Sequence, residues 1–219
     1  MSTQAARGPR TLKGALVSMN LIDPVPTVIL FQYNPHSLSR QLRPQIVGGA
    51  EGDRSQAVRY TSAPTQTISA EIEIDGTDGL AAGDPQTVQN GIAPQLAALE
   101  QLTYPTLAQV AIDTALFALG TIEVAPMTAP RILFVWGPNR VVPVQIESYS
   151  ISEDEFDPRL NPLRATVQLQ MRVLTYADVS ITDLDYYQFL AYHANQSSLA
   201  GGATTSSQAS LGDVSMLSL

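Results

Sequence analysis

The sequence predicts a mainly β protein with helices, an α+β fold built on antiparallel strands. Three stretches carry that prediction. Residues 163–173 alternate strictly between apolar and polar side chains, and the strand predicted over residues 65–75 alternates in the same way from residue 67 onward. Residues 132–136 form the short apolar run Ile-Leu-Phe-Val-Trp. A period of two places successive side chains on opposite faces, as a half-buried strand requires, whereas a helix would scatter them around its circumference.

Composition narrows the class of protein further. The chain has 219 residues, 44% hydrophobic and 15% charged, and the charged share is low against the usual ~25%. A surface with few charges is typical of a chain that packs against other protein chains; the alternative is a monomer that tolerates such a surface. The net charge of −8 argues against binding to a phosphate backbone. With no cysteine, disulfides and thiolate metal sites are excluded. No secretory signal and no membrane helix are predicted.

The first third of the sequence predicts a flexible arm, a β-hairpin and a surface loop. Residues 1–11 are small, polar and basic, which is typical of a flexible arm. Residues 12–22 and 27–33 predict two strands joined by a proline-rich turn, hence a hairpin. Residues 38–43 continue in extended form. Residues 46–60 form a glycine-containing loop that lacks the Gly-Lys-Ser/Thr ending of a phosphate site, so a surface loop is expected.

Two helices are expected between the strands. Asp84 is a candidate N-cap with Pro85 at the first helical position, and the helix would run to Leu102. Pro94 lies inside its apolar stripe, which predicts either a kink or a late helix start. Residues 106–119 are unusually apolar, so this second helix is expected to be buried or to face another subunit.

The second half of the sequence completes the predicted domain organisation. Residues 12–176 would form one β domain, with a strand over 141–151 followed by an acidic turn. Residues 177–195 combine aspartates with aromatic residues and predict a C-terminal helical extension, because acids suit the start of a helix. Residues 196–219 are rich in Ser, Ala, Gly and Thr, which predicts a disordered low-complexity tail.

No set of residues points to catalysis. His36 and His193 are far apart in the sequence and neither belongs to a motif of a base or a metal ligand. Glu71 and Glu73 fall on the polar side of a predicted strand, where solvated acids are usual. The acidic loop after Asp75 lacks the distant acidic ligand of a calcium loop. The sequence therefore predicts no enzyme, no metal and no cofactor.

Four segments, taken in order, resemble a known family. Residues 31–40 look like "F-x-Y/F-N-P-x-S-L", and residues 67–75 are similar to a strand that ends in an acidic turn. Residues 130–137 resemble "P-P-x-hydrophobic-x-F-x-W-G", and residues 162–165 resemble "P-x-R-A". These are segments of the contractile injection system tube protein family, which are baseplate components of phage-tail-like particles.

The resemblance implies a tube-like antiparallel split β-barrel or sandwich packed by one or two helices. It implies a homo-oligomeric ring of six copies that initiates the inner tube or connects it to the spike hub. The implied partners are the inner tube protein, the spike or hub protein and other baseplate subunits, with no nucleic acid and no membrane. Assembly would occur in the cytoplasm of the producing cell, within a particle that is released.

Two departures from the family pattern stand out. Many members carry a C-terminal LysM module, whose contacts to the baseplate the helix over residues 178–192 is expected to replace. Asn161 stands where the family has a glycine before "P-x-R-A", and asparagine tolerates the left-handed backbone that such a turn can require.

The expected contact residues follow from the ring hypothesis. The polar side of the last strand, including Arg164, Gln168, Gln170 and Arg172, would line a wet lumen, or else the polar side of residues 67–73 would. The candidate subunit and partner interface comprises Asn34, Pro35, Trp136, Arg164, Arg172, Tyr186, Tyr187 and Phe189. The competing hypothesis is a monomeric β-sandwich module that binds carbohydrate, and an enzyme ranks third.

Overall fold

The structure, a computed structural model, describes residues 13–19, 27–31, 35, 37–47, 59–105, 107–120 and 130–211, with side chains described up to residue 203. The strands of this part are β1 Ala15–Met19, β2 Thr27–Leu30, β3 Leu38–Val47, β4 Arg59–Asp75, β5 Arg131–Val135, β6 Val141–Phe156 and β7 Pro162–Val173. The helices are α1 Thr77–Ala82, α2 Pro85–Asn90, α3 Ala93–Gln101, α4 Leu107–Ala118 and α5 Leu184–Leu211.

The seven strands form one antiparallel sheet in the order β2-β1-β5-β6-β7-β4-β3. The mainly β, α+β class predicted from the sequence is confirmed, and so is the hairpin of β1 and β2. The expected split β-barrel or sandwich arrangement of these strands is not confirmed. Among the described strands the sheet is open, because β2 and β3 each pair on one side only.

β7 lies between its two long neighbours, and its register explains the strict alternation in the sequence. Val167 stands opposite Ile72 of β4 and Ile151 of β6, on the side we call the core face. Gln168 stands opposite Glu71 and Ser150, on the other side, which we call the polar face. The alternation predicted for residues 163–173 and 65–75 therefore corresponds to these two faces.

The core gathers apolar side chains from five strands and two helices. α3 contributes Leu96 and Leu99, and α5 contributes Phe189 and Tyr192. α5 is fixed to β5 by Arg131, whose Nε and Nη2 each lie 3.0 Å from a carboxylate oxygen of Asp185. A bidentate contact between a guanidinium and a carboxylate fixes the relative orientation of the two groups as well as stabilising their association. This contact therefore gives α5 a defined position against the sheet.

The helical segment after β4 differs in detail from the single helix predicted. Asp84 caps α2 as expected, since its Oδ2 accepts a 2.9 Å hydrogen bond from the backbone N–H of Thr87. Gly91, at φ +58°, ends α2, and α3 begins two residues later with Pro94 in its first turn. Of the two expectations for Pro94, the late helix start is the one observed.

The hairpin of β6 and β7 also differs from the prediction. β6 continues to Phe156, so the acidic segment of residues 153–155 belongs to the strand and the turn follows it. The left-handed residues are Glu155 and Leu160, not Asn161. Asn161 instead holds the turn through its side-chain amide, which donates to Asp157 Oδ2 at 2.8 Å and to the carbonyl of Gln89 at 3.0 Å.

The C-terminal region requires the largest correction. Residues 196–211, predicted to be disordered, continue α5 without a break. No proline interrupts them, and a helix that is already nucleated propagates at little further cost per residue. The predicted arm over residues 1–11 and the last eight residues of the tail lie outside the described residues. No helix in the described part is both long and apolar enough to cross a membrane.

Candidate assembly surfaces

The polar face extends over four strands, β6, β7, β4 and β3. Ser69 and Ser148 flank Gln170, and Gln168 has Glu71 and Ser150 as its neighbours. With Ser39 these exposed side chains line a shallow depression of hydroxyl and amide groups. The sequence left open whether β7 or β4 carries the polar lumen surface. The register places both sets of residues on the same face.

Arg164 lies at one end of that face and is already paired within the chain. Its Nη2 lies 2.8 Å from Asp75 Oδ2 and its Nη1 lies 3.2 Å from Glu155 Oε1. The hydrogen bond that Arg164 donates to Asp75, with the nearby negative charge of Glu155, raises the pKa of the Arg164 guanidinium. For Asp75, burial raises the pKa, but hydrogen bonds from Thr77 and Arg164 outweigh it, so the pKa is lowered overall. The three residues form an ion-pair network inside one subunit.

Arg172 lies toward the other end of β7 and is also paired. Its Nη1 lies 3.2 Å from Asp178 Oδ1 and its Nη2 lies 3.4 Å from Gln145 Oε1. Asp178 also accepts hydrogen bonds from the backbone N–H and the hydroxyl of Thr175, at 2.9 and 2.7 Å. Neither candidate interface arginine is thus a free charge in the isolated chain.

The candidate aromatic residues divide between core and surface. Trp136 stacks on Phe134, with ring centroids 6.0 Å apart, and it contacts Phe31 at 6.4 Å. Phe189 lies in the core, 7% exposed. Tyr186 and Tyr187 meet edge to face at 5.4 Å, and Tyr187 is exposed.

Of the remaining two candidates, Pro35 is half-buried and Asn34 lies outside the described residues. The interface role of all eight candidate residues stays a prediction, because no contact with another chain is present to test it.

Several exposed apolar residues were not among the sequence-based candidates. α4 has no buried residue, and its most exposed apolar side chains are Leu107 and Phe117, at 85% and 75%. The two edges of the sheet carry further ones, with Val28 and Leu30 on β2, and with Leu42, Ile46 and Val47 on β3. The apolar composition of residues 106–119 predicted either a buried or a subunit-facing helix, and burial within the chain is excluded for the described residues.

No group of three or more acidic or histidine side chains in the described part of the chain is placed to hold a metal ion. His193 stacks on Phe189, with the two rings 7° from parallel. His36 lies outside the described residues. The arrangement offers contact surfaces rather than a convergent reactive centre.

Comparison with known proteins identifies the family. A sequence profile described as "Contractile injection system tube protein" matches residues 20–178, which is more than half of the chain. The chain belongs to this family. The resemblance noted from the four ordered segments is therefore confirmed, and the chain is a structural component of a phage-tail-like particle.

No curated protein matches the chain. Among solved structures, a chain of the virion of a native gene transfer agent particle is similar at 11% identity, over 73% of this chain and 90% of that one. Its TM-score is 0.27, too low for the likeness to bear on function.

Proposed function

We propose that the chain forms a six-membered baseplate ring that initiates the inner tube or connects it to the spike hub. Family membership supports a structural role in the particle, and the observation that carries the ring is the open sheet. Unpaired strand edges promote association unless they are covered, and β2 and β3 have no second partner among the described strands. Contacts between neighbouring copies, repeated around an axis, would cover both edges.

The distribution of polarity supports the same arrangement. One face of the sheet packs on the core, and the other presents serine, threonine and glutamine side chains to water over four strands. In a ring around an aqueous channel, that polar face would line the lumen and remain hydrated. α4 and the apolar edge residues would then lie against neighbouring chains, which removes their exposure.

The alternative of a monomeric carbohydrate-binding module fits these surfaces less well. Such a module would present aromatic rings as a platform, yet Trp136 packs on Phe134 and Phe31. The alternative also leaves α4 exposed without a function. No observation on the described residues favours it specifically.

The test is electron microscopy of particles from the producing cell, with and without the gene and after complementation. Loss of baseplates or tubes on deletion, and their return with the wild-type gene, is the expected result. Intact contractile particles in the deletion strain would overturn the proposal.

A labelling experiment examines the lumen assignment separately. Because the chain has no cysteine, Ser69→Cys places a single thiol on the polar face. In assembled particles it is expected to react with a small maleimide but not with a polymer-linked one, whereas the free subunit reacts with both. Equal reaction with the large reagent in both states would reject this assignment.

A further inference from the structure

Two arginines approach the same tyrosine at the β3 side of the core. Arg40 of β3 lies with its Nη1 3.5 Å from the hydroxyl of Tyr192 on α5, the outer limit for a hydrogen bond. Arg140, which immediately precedes β6, interacts with the same hydroxyl. Tyr192 is buried, Arg140 is half-buried and Arg40 is exposed, so the group opens to solvent on the Arg40 side. We call these three residues the arginine cluster.

The arginine cluster has no acidic partner in the part of the chain that the structure describes. The ion pairs found there use Arg131, Arg164 and Arg172. The buried Nε of Arg140 has no hydrogen-bond acceptor there either. Burial lowers the pKa of Arg140, and the neighbouring Arg40 charge adds to that effect. Two like charges held together, one with an unsatisfied buried donor, form a site that a carboxylate would complete.

The matching carboxylates lie at the opposite end of the same strands. Because β4, β6 and β7 are antiparallel, the end of β4, the end of β6 and the start of β7 coincide. We call this the acid end, and its carboxylates are Glu73, Asp75, Glu153, Asp154, Glu155 and Asp157. Arg164 forms ion pairs with Asp75 and Glu155 and lies near Glu73. Glu153 and Asp154 are exposed, and neither forms an ion pair among the described residues.

These acids cannot reach the arginine cluster of their own chain. Arg140 and Asp154 stand at opposite ends of β6, about 46 Å apart along the strand at ~3.3 Å per residue. The acid end of a second copy has no such restriction. A contact of this kind joins two different surfaces of identical subunits, which is the head-to-tail geometry that closes into rings.

We propose that the arginine cluster binds the exposed carboxylate of Asp154 of a second copy of this chain. The contact rests on the proposed ring and specifies which surfaces of neighbouring subunits meet. Arg140 and Arg40 donate to the incoming carboxylate. Removal of one partner of a partly buried charged contact weakens association at least roughly tenfold.

The experiment complements the deletion strain with charge variants and counts particles that carry a baseplate. Arg140→Glu alone and Asp154→Arg alone are expected to lower that count at least tenfold. The two changes in one chain are expected to restore it, because each contact then pairs a glutamate with an arginine again. Arg40→Glu, at an exposed position, repeats the test without altering a half-buried side chain. Circular dichroism of the purified chains checks that each variant folds.

Glu100→Arg is the matched control for Asp154→Arg, since it makes the same change of charge at an exposed position of α3, outside the acid end. It is expected to leave the particle count unchanged. If the folded single variants give normal baseplates, or the combined variant does not recover, the carboxylate contact is overturned and the ring proposal stands. If the deletion strain itself makes intact particles, the proposed function fails and the contact falls with it.

Discussion

α3 and α4 follow one another in the chain, yet they differ completely in burial. α3 buries Leu96 and Leu99 against the core, whereas α4, the more apolar of the two, buries nothing in the isolated chain. α3 has a single apolar stripe and lies where the sheet can receive it. A helix as apolar as α4 is normally covered by other protein, and the described residues of its own subunit bury none of its side chains. Apolar composition therefore indicates that a surface will be covered, but not by which chain.

The largest effect expected from this comparison is on folding stability. Leu99→Ala in α3 should lower the free energy of unfolding by about 2–5 kcal/mol, because it opens a cavity in the core. Leu107→Ala in α4 makes the same chemical change at an exposed position and should alter stability by less than about 0.5 kcal/mol. Urea unfolding of both variants measures the difference. Equal losses would show that α4 packs on its own subunit.

A smaller effect concerns the junction that directs α3 onto the sheet. Gly91 has φ +58°, and a Cβ there would overlap the carbonyl of Pro162 in β7. Gly91→Ala should destabilise by about 1–3 kcal/mol or more from backbone strain alone, with the overlap in addition. Gly83 also has positive φ but open space around it, so Gly83→Ala is the control and should cost less. Thermal unfolding that ranks the two variants the other way would contradict this account.

A substitution on the exposed surface of α4 should affect assembly without changing the stability of the isolated subunit. Phe117→Ser removes a large apolar side chain from α4, 75% exposed in the isolated chain. Stability should stay within about 0.5 kcal/mol of the wild type, because the Phe117 side chain is mostly exposed. Assembly into particles should fall if neighbouring chains cover α4. Full assembly with this variant would mean that α4 remains in solvent.

The smallest effect expected is a pH dependence at the start of α2. Hydrogen bonds from the hydroxyl and backbone N–H of Thr87 lower the pKa of Asp84 below its ordinary value of 3.8. A carboxylate whose pKa is lowered by folding stabilises the fold above its unfolded-state pKa, and that stabilisation disappears as pH falls through the lowered value. Wild type should therefore exceed Asp84→Asn in stability at neutral pH, and the two should converge in acid below pH 3.8. Parallel curves across that range would exclude this role.

Much of the fold could be predicted from local patterns. The alternation in β4 and β7 specifies both faces of the sheet, because a shift of one residue would turn every apolar side chain outward. The cap at Asp84 and the apolar helix α4 were likewise visible in the sequence. What could not be predicted depends on long-range packing. Low-complexity composition did not indicate the continuation of α5, and no pattern indicated that the sheet stays open.

The candidate contact residues could be predicted from the sequence less well than the fold. Arg164 and Arg172 look like free charges on a polar strand face, but Asp75 and Asp178 pair with them after folding. Arg40 and Arg140 are 100 positions apart in the sequence, and only the placement of α5 brings both to Tyr192. One signal was available, since Arg40 interrupts the otherwise apolar core side of β3 between Leu38 and Leu42.

A cryo-electron microscopy reconstruction of the intact particle tests the central claim most directly. We expect density for this chain as a closed ring around the tube axis, with the polar face toward the channel and α4 covered by neighbouring chains. The exposed Asp154 near the end of β6 should lie against the arginine cluster of the next copy. A chain found as a single copy, or a ring with α4 in solvent and the polar face directed away from the axis, would contradict the account.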